Sequence, residues 1–168
     1  ILHFAIASPM SEALASLPTG RVIQYHNITP AHFFAGYDAG VVALVIRGRQ
    51  ELASLAGRVD LALGDSEHNR QELETLGFSE TAVFPIAVNT ARLTSATPQP
   101  GLERVLCDGL TNILFVGRIV PNKKLEDHLR LAEHYKRYVD AFHRFIFVGR
   151  EDACPGYYAM LRTLMTQY

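Results

Sequence analysis

The segment Asn112–Lys124, which reads NILFVGRIVPNKK, constrains the fold of this chain more than any other segment. Its apolar run at 113–116 is short and unbroken, which is typical of a buried strand in a parallel sheet. Gly117 lets the chain turn sharply where that strand ends, and Pro121 suits a turn or the first turn of a helix. The segment therefore predicts a strand, a tight turn and then a helix.

Three cations follow this predicted strand. Arg118 comes directly after Gly117, and Lys123 and Lys124 come just past Pro121. Open α/β sheets bind ligands at the carboxyl ends of their strands, and cations beside the N–H groups of a helix start can hold a diphosphate. We interpret the three cations as a candidate diphosphate site. The alternative is that they are ordinary exposed side chains at the start of a helix.

Short apolar runs alternate with longer amphipathic stretches along the rest of the chain. The runs predict strands at 2–7, 22–25, 61–63, 82–84, 113–116 and 145–148. The amphipathic stretches predict helices at 38–55, 66–76, 124–139 and 157–165. This alternation is typical of parallel βαβ units, so the predicted fold class is α/β with Rossmann-like parallel sheets.

Two of the predicted helices carry an apolar stripe at helical spacing. In the helix at 38–55 the stripe comprises Val41, Leu44, Val45, Leu52 and Leu55. In the helix at 124–139 it comprises Leu125, Leu129, Ala132, Tyr135 and Val139. We expect both stripes to face a hydrophobic core.

The segment TSATPQPG at 94–101 is polar and rich in proline, which is typical of a linker. We therefore divide the chain into a first domain at 1–93, a linker or hinge at 94–110, and a second domain at 111–168. Two predicted strands in the second domain are too few for a stable sheet. We expect exposed sheet edges and exposed apolar faces, which pair with another copy of the chain or with a further segment.

The composition excludes several classes of protein. Hydrophobic residues make up 48% of the 168 residues, which is too many for a disordered chain. The net charge of −1 creates no positive field of the kind that binds nucleic acid. Cys107 and Cys154 have neither metal-ligand nor disulfide-framework spacing, so we expect free thiols in a reducing compartment. No apolar run reaches membrane-spanning length.

Five segments, taken in order, resemble family-four retaining glycosyltransferases, which have the two-domain GT-B fold. They are YHNITPAHFF, LALGDSEHNRQELETLGF, VFPIAVN, VGRIVPNKK and FVGR, and together they extend through nearly the whole chain. The resemblance implies that residues 1–93 form the later part of an acceptor-binding domain. It implies that residues 111–168 begin a nucleotide-sugar donor domain, so that both Rossmann-like domains are incomplete.

On the donor side, the resemblance implies that Arg118 and Lys123 bind the donor diphosphate and act in catalysis, with Lys124 as the alternative in register. An arginine fork matches phosphate oxygens, and a lysine adds a point charge. Gly117 and Gly149 end the two strands nearest the donor, where a glycine permits close backbone approach. For Gly149 the alternative is an ordinary turn at a strand end.

On the acceptor side, His26 resembles the active-site histidine that follows a strand of the acceptor domain. The alternative is that His26 is a packed or capping residue. Asn27 is a weaker candidate for substrate contact. Ser66 is a further candidate, although a helix cap is its simpler interpretation.

The chain departs from the family pattern in one respect. The family has two glutamates separated by seven residues that contact the donor sugar and the ribose. Glu72 and Glu80 have this spacing, but they lie in the acceptor half, so we reject them. We expect the pair beyond Tyr168 and the first acceptor-domain strand before Ile1. The isolated chain is therefore expected to be inactive in sugar transfer.

The resemblance implies a parent enzyme that transfers a sugar from a nucleoside diphosphate sugar to an acceptor hydroxyl with retention of configuration. It implies no metal and no cofactor apart from the sugar nucleotide. The acceptor would be a glycan or a lipid-linked precursor in polysaccharide biosynthesis, at the cytoplasmic face of the inner membrane with peripheral membrane association. Two alternatives stay open: a non-catalytic nucleotide- or phosphate-binding module, and a flavodoxin-like interaction domain.

Overall fold

The computed structural model describes residues 1–167, and strands and helices alternate along them. The strands are β1 (Leu2–Phe4), β2 (Val22–Tyr25), β3 (Leu61–Gly64), β4 (Thr81–Val83), β5 (Thr111–Val116) and β6 (His143–Val148). The helices are α1 (Met10–Ala15), α2 (Ala39–Ser54), α3 (Glu67–Thr75), α4 (Thr90–Thr94), α5 (Pro100–Leu106), α6 (Leu125–Tyr138) and α7 (Pro155–Met165). The chain is thus a mixed α/β protein, as its patterning predicts.

The chain divides into two compact units. The first unit comprises residues 1–35 and 39–88, and the second comprises residues 36–38 together with the chain from Asn89 onward. The first unit contains a four-stranded sheet in the order β1-β2-β3-β4, and the second contains the β5-β6 pair. Every pairing in both sheets is parallel.

The sheet of the first unit is held in a defined register. Tyr25 of β2 pairs with Phe4 of β1 on one side and with Gly64 of β3 on the other. Because the strands are parallel, their carboxyl ends lie at one edge of the sheet. The residues that follow β1, β2, β3 and β4 are consequently neighbours, although they are far apart in sequence.

Helix α2 supplies much of the core of the first unit. Val45 and Leu52 are buried, and Leu55 just past the helix end is buried with them. Leu44, which the predicted stripe includes, is 37% exposed, because it lies at the border of the buried stripe. Gly48 completes that stripe, since a Cβ atom there would come within 2.8 Å of the Ala7 backbone nitrogen.

In the second unit, helix α6 packs against one face of the β5-β6 pair. His128 of α6 lies edge-on to Phe115, with ring centroids 5.4 Å apart. The alternate residues of β5 point away from α6, and Leu114 and Val116 are 61% and 69% exposed. The prediction that this run forms a buried strand was therefore wrong for one face of β5 within the described chain. A short apolar run does not reveal how many faces of its sheet are covered.

Helices α6 and α7 pack through a buried tyrosine. The Tyr157 hydroxyl accepts a hydrogen bond from the Leu125 backbone N–H at 2.8 Å and donates one to Glu126. Leu125 and Leu129 are buried as predicted. Val139 was wrongly assigned to the apolar stripe of this helix, because α6 ends at Tyr138 and leaves Val139 63% exposed.

Part of the segment predicted as a linker is helical. Helix α5 runs from Pro100 to Leu106, with proline in its first turn, where the missing N–H costs no hydrogen bond.

The sequence pattern also missed α1, which begins after Pro9 and buries Ser11 and Leu14. Six residues contain too few turns of helix for periodicity to identify α1.

Both cysteines are free thiols, as expected from their spacing; Cys107 is exposed and Cys154 is buried. Among residues 1–167, no helix combines the length and the apolar character that crossing a membrane requires.

We predict that Leu52→Ala will lower the free energy of unfolding by about 2–5 kcal/mol, because it removes a fully buried side chain from the first core. Chemical denaturation followed by circular dichroism measures this change. Leu44→Ala on the same helix is the matched control and should cost below about 1 kcal/mol. Equal losses for the two variants would contradict the core described here.

Candidate functional site

Two polar side chains meet at the carboxyl edge of the first sheet. His26 follows β2 and Asp65 follows β3, and the His26 Nδ1 atom lies 2.7 Å from Asp65 Oδ2. The two side chains are only 24% and 13% exposed. The structure thus places the predicted site residue His26 at a strand end, in contact with a carboxylate.

Gln24 binds the other oxygen of the Asp65 carboxylate. The Gln24 side-chain amide donates to Asp65 Oδ1 at 3.1 Å and to the Phe84 carbonyl at 3.3 Å. Gln24 itself is buried within β2. Both oxygens of Asp65 are therefore engaged, which fixes the orientation of the carboxylate toward His26.

His3 of β1 extends this arrangement across a third strand. Its Nδ1 atom lies 2.8 Å from His26 Nε2, and the two imidazole planes are parallel within 2°. His3, His26 and Asp65 thus form a row, which we call the edge row, across the ends of three adjacent strands. Sequence reasoning proposed only His26, because the alignment of His3 and Asp65 with it depends on strand register.

A buried hydrogen-bond network supports the segment after β2. The Tyr25 hydroxyl donates to Glu72 at 2.9 Å and accepts from the Ile28 backbone N–H at 3.1 Å. Burial, together with the hydrogen bond to Glu72, raises the pKa of Tyr25 well above its usual range, so the hydroxyl stays a donor. Arg49 binds both Glu72 and the Ile28 carbonyl at 2.6 Å.

Asn27 lies between Tyr25 and Ile28 along the chain, and its backbone is left-handed with φ +68°. Asparagine adopts this conformation more readily than most residues. Asn27 is exposed beside His26, and its contact with a substrate stays a prediction.

Ser66 is the N-cap of α3, because its Oγ accepts a hydrogen bond from the Asn69 N–H at 3.3 Å. Its capping role is confirmed.

In the second unit, two predicted cations are exposed after β5. A 3₁₀ turn at Pro121–Lys123 separates that strand from α6. Among the described residues, neither the Arg118 nor the Lys123 side chain forms a hydrogen bond or an ion pair. On the same turn, the Asn122 Oδ1 atom is buried and has no hydrogen-bond partner within residues 1–167. We call these three side chains the cation turn.

Lys124 differs from Lys123 in both backbone and side chain. Its backbone is left-handed, with φ +54°, and it forms the junction between the 3₁₀ turn and α6. Its Nζ atom lies 3.9 Å from Glu126 Oε1. Lys123 is therefore the better-placed lysine for a ligand beside Arg118.

Gly117 and Gly149 lie side by side at the ends of β5 and β6. The Gly117 N–H donates to the Val148 carbonyl at 2.9 Å, and a Cβ atom on Gly149 would lie 1.9 Å from the Gly117 oxygen. The close approach that the structure explains is thus between the two strand ends. A donor contact of either glycine stays a prediction.

The arginine that follows Gly149 is already paired. Arg150 Nη2 lies 2.5 Å from Asp152 Oδ2, and this hydrogen bond lowers the pKa of Asp152 below its usual range. Arg150 is consequently a weaker anion site than Arg118, although both follow the glycine at a strand end.

A cavity of about 490 Å³ lies beside β6 in the second unit. Its walls are mainly apolar and include Leu129, Phe145 and Leu161, while Gly149 and Glu151 also border it.

Within residues 1–167, no group of three or more His, Cys, Asp or Glu side chains could hold a metal ion.

No family model, no curated protein and no solved structure matches this chain.

We predict that Gly149→Ala will destabilise the protein by about 1–3 kcal/mol, because its methyl group would collide with the Gly117 carbonyl. Thermal unfolding of the whole chain measures this change. Gly101→Ala is the control, since a Cβ atom at Gly101 meets nothing within 4 Å. An unaltered melting temperature for Gly149→Ala would show that the two strand ends are not so closely packed.

Proposed function

We propose that this chain is part of a retaining glycosyltransferase of the GT-B type. The parent protein transfers a sugar from a nucleoside diphosphate sugar to an acceptor hydroxyl. Residues 1–93 supply part of the acceptor domain, residues 94–110 the hinge, and residues 111–168 part of the donor domain. The observation that carries the proposal is the cation turn, where the Arg118 and Lys123 side chains have no protein partner in the described chain.

The chemistry of the cation turn suits a diphosphate. Arg118 offers a planar fork of N–H donors, and Lys123 offers a mobile point charge within the same turn. An anion bound there would not have to displace a protein carboxylate. As the sugar leaves, negative charge develops on the nucleoside diphosphate, and the same two cations stabilise it.

The edge row suits the acceptor. A row of histidines oriented by a carboxylate accepts hydrogen bonds and protons from hydroxyl groups, and His3, His26 and Asp65 have this arrangement. The row lies at the carboxyl ends of parallel strands, which is the usual ligand edge of an open α/β sheet. In this proposal the acceptor is a glycan or lipid-linked hydroxyl at the cytoplasmic face of the inner membrane.

A second candidate is a non-catalytic module that binds a nucleotide or a phosphate group. The cation turn favours it too, because that turn lies within one unit and needs nothing from the edge row. The flavodoxin-like alternative is disfavoured, since β1-β4 and β5-β6 form separate sheets and no single sheet continues through residues 94–110.

We predict that Arg118→Ala will weaken the binding of a nucleoside diphosphate by about 10- to 100-fold, through loss of one charged hydrogen-bonding group. Isothermal titration calorimetry of the purified chain measures the affinity. Arg130→Ala is the matched control, because Arg130 is an exposed arginine that pairs with Asp127 on α6. The control should bind as the unmodified chain does.

Equal affinities for Arg118→Ala and the unmodified chain would refute the cation turn as the diphosphate site. Lys123→Ala and Lys124→Ala complete the series. Lys123→Ala should weaken binding more than Lys124→Ala, because the Lys124 ammonium already lies 3.9 Å from the Glu126 carboxylate.

A further inference from the structure

His26 has no ring nitrogen left for a ligand. Its Nδ1 atom contacts Asp65 Oδ2 at 2.7 Å, and its Nε2 atom contacts His3 Nδ1 at 2.8 Å. His3 is the exposed member of the row, and its Nε2 atom has no hydrogen-bond partner in residues 1–167. A ligand that reaches the row therefore meets His3 first.

The contact between the two histidines has the geometry of a direct hydrogen bond. Their ring centroids are 5.1 Å apart and their planes differ by only 2°. With the two nitrogens 2.8 Å apart, this centroid separation places the rings end to end in one plane and not face to face. The N–H of one ring then points along the lone pair of the other, which is the strongest alignment for a hydrogen bond.

The carboxylate decides which nitrogen carries each proton. Asp65 accepts hydrogen bonds only, so the proton of neutral His26 lies on Nδ1. Its bare Nε2 must then accept, and His3 must donate from its own Nδ1. The proton-free nitrogen of the row is consequently Nε2 of His3.

We propose that Asp65, His26 and His3 form a proton relay whose accepting atom is His3 Nε2, with His26 and Asp65 as positioning residues. The relay follows from the hydrogen bonds alone. Its use on an acceptor hydroxyl rests on the proposed function.

The proton balance of the relay is simple. As the oxygen of an acceptor hydroxyl bonds to the sugar carbon that the nucleoside diphosphate leaves, the hydroxyl gives its proton to His3 Nε2, and His3 passes its Nδ1 proton to His26 Nε2. His3 is then neutral again, as its other tautomer. His26 is an imidazolium that still donates from Nδ1 to the Asp65 carboxylate. The positive charge thus moves from the exposed ring to the half-buried ring, where a carboxylate compensates it.

Nuclear magnetic resonance tests the relay without any substrate. We expect long-range ¹H–¹⁵N spectra of the ¹⁵N-histidine-labelled chain, in mildly alkaline buffer, to show both His3 and His26 as the Nδ1–H tautomer. This tautomer is the less common one for a histidine in water. His3→Gln and His26→Gln assign the two signals. Detection of either ring as the Nε2–H tautomer in the unmodified chain would overturn the proposal.

Asp65→Asn provides the sharper test, because it changes a residue that does not contact His3 in the row. The amide keeps one oxygen, which we expect to stay with the Gln24 N–H donor, so that the amide NH2 faces His26 Nδ1 and His26 becomes the Nε2–H tautomer. Its Nε2–H would then donate to His3 Nδ1, and His3 would change tautomer as well. Asp60→Asn is the control, since Asp60 pairs with Arg21 at 3.1 Å and lies outside the row. A His3 signal unchanged by Asp65→Asn would refute the relay.

Chemical labelling tests which nitrogen is accessible. Diethyl pyrocarbonate acylates unprotonated imidazole nitrogen, and peptide mass spectrometry locates the label. We expect His3 to react faster than His26, and His26 to become reactive in His3→Gln, which exposes its Nε2. Faster labelling of His26 than of His3 in the unmodified chain would contradict the proposal. Because neither experiment uses a sugar nucleotide, a failure here is distinct from a failure to bind nucleoside diphosphate at the cation turn.

Discussion

The parallel pairing of β1, β2 and β3 is the constraint on which the rest of the first unit depends. Main-chain hydrogen bonds continue past the strand ends: the His26 N–H donates to the Phe4 carbonyl at 2.9 Å, and the Asp65 N–H contacts the Tyr25 carbonyl at 3.4 Å. These bonds position the backbone of two members of the edge row. The side chains then meet because parallel strands end at one edge of their sheet.

The two candidate sites differ in how they are held. The edge row is supported by buried partners, since Gln24 holds the carboxylate and the hydroxyl of Tyr25 holds the segment that follows His26. Such fully satisfied polar groups fix one geometry. In the cation turn, by contrast, the Arg118 and Lys123 side chains are exposed and have no protein partner in the described chain. This contrast suits a site for a proton in the first unit and a site for a mobile anion in the second.

Local patterns predicted much of the fold. Strand β2 was predicted with its observed bounds, and α2, α3 and α6 were predicted to within about one residue at most ends. Ser66 illustrates why, because a cap acts on an N–H group only three residues away. The wrong predictions concern which residues of a strand or helix are buried by neighbouring elements. Leu114 and Leu44 are apolar and correctly assigned to a strand and a helix, yet both are exposed, and burial depends on elements distant in sequence.

The sequence by itself determined the succession of strands and helices, the glycines at the strand ends and the position of the cations after β5. These features depend on neighbours within a few residues. Only the tertiary structure decided that His3 and Asp65 join His26, that Lys123 lacks the carboxylate beside Lys124, and that Gly149 abuts the Gly117 carbonyl. The physical reason is strand register, which is set by hydrogen bonds between segments 20 to 40 residues apart and which no local pattern encodes.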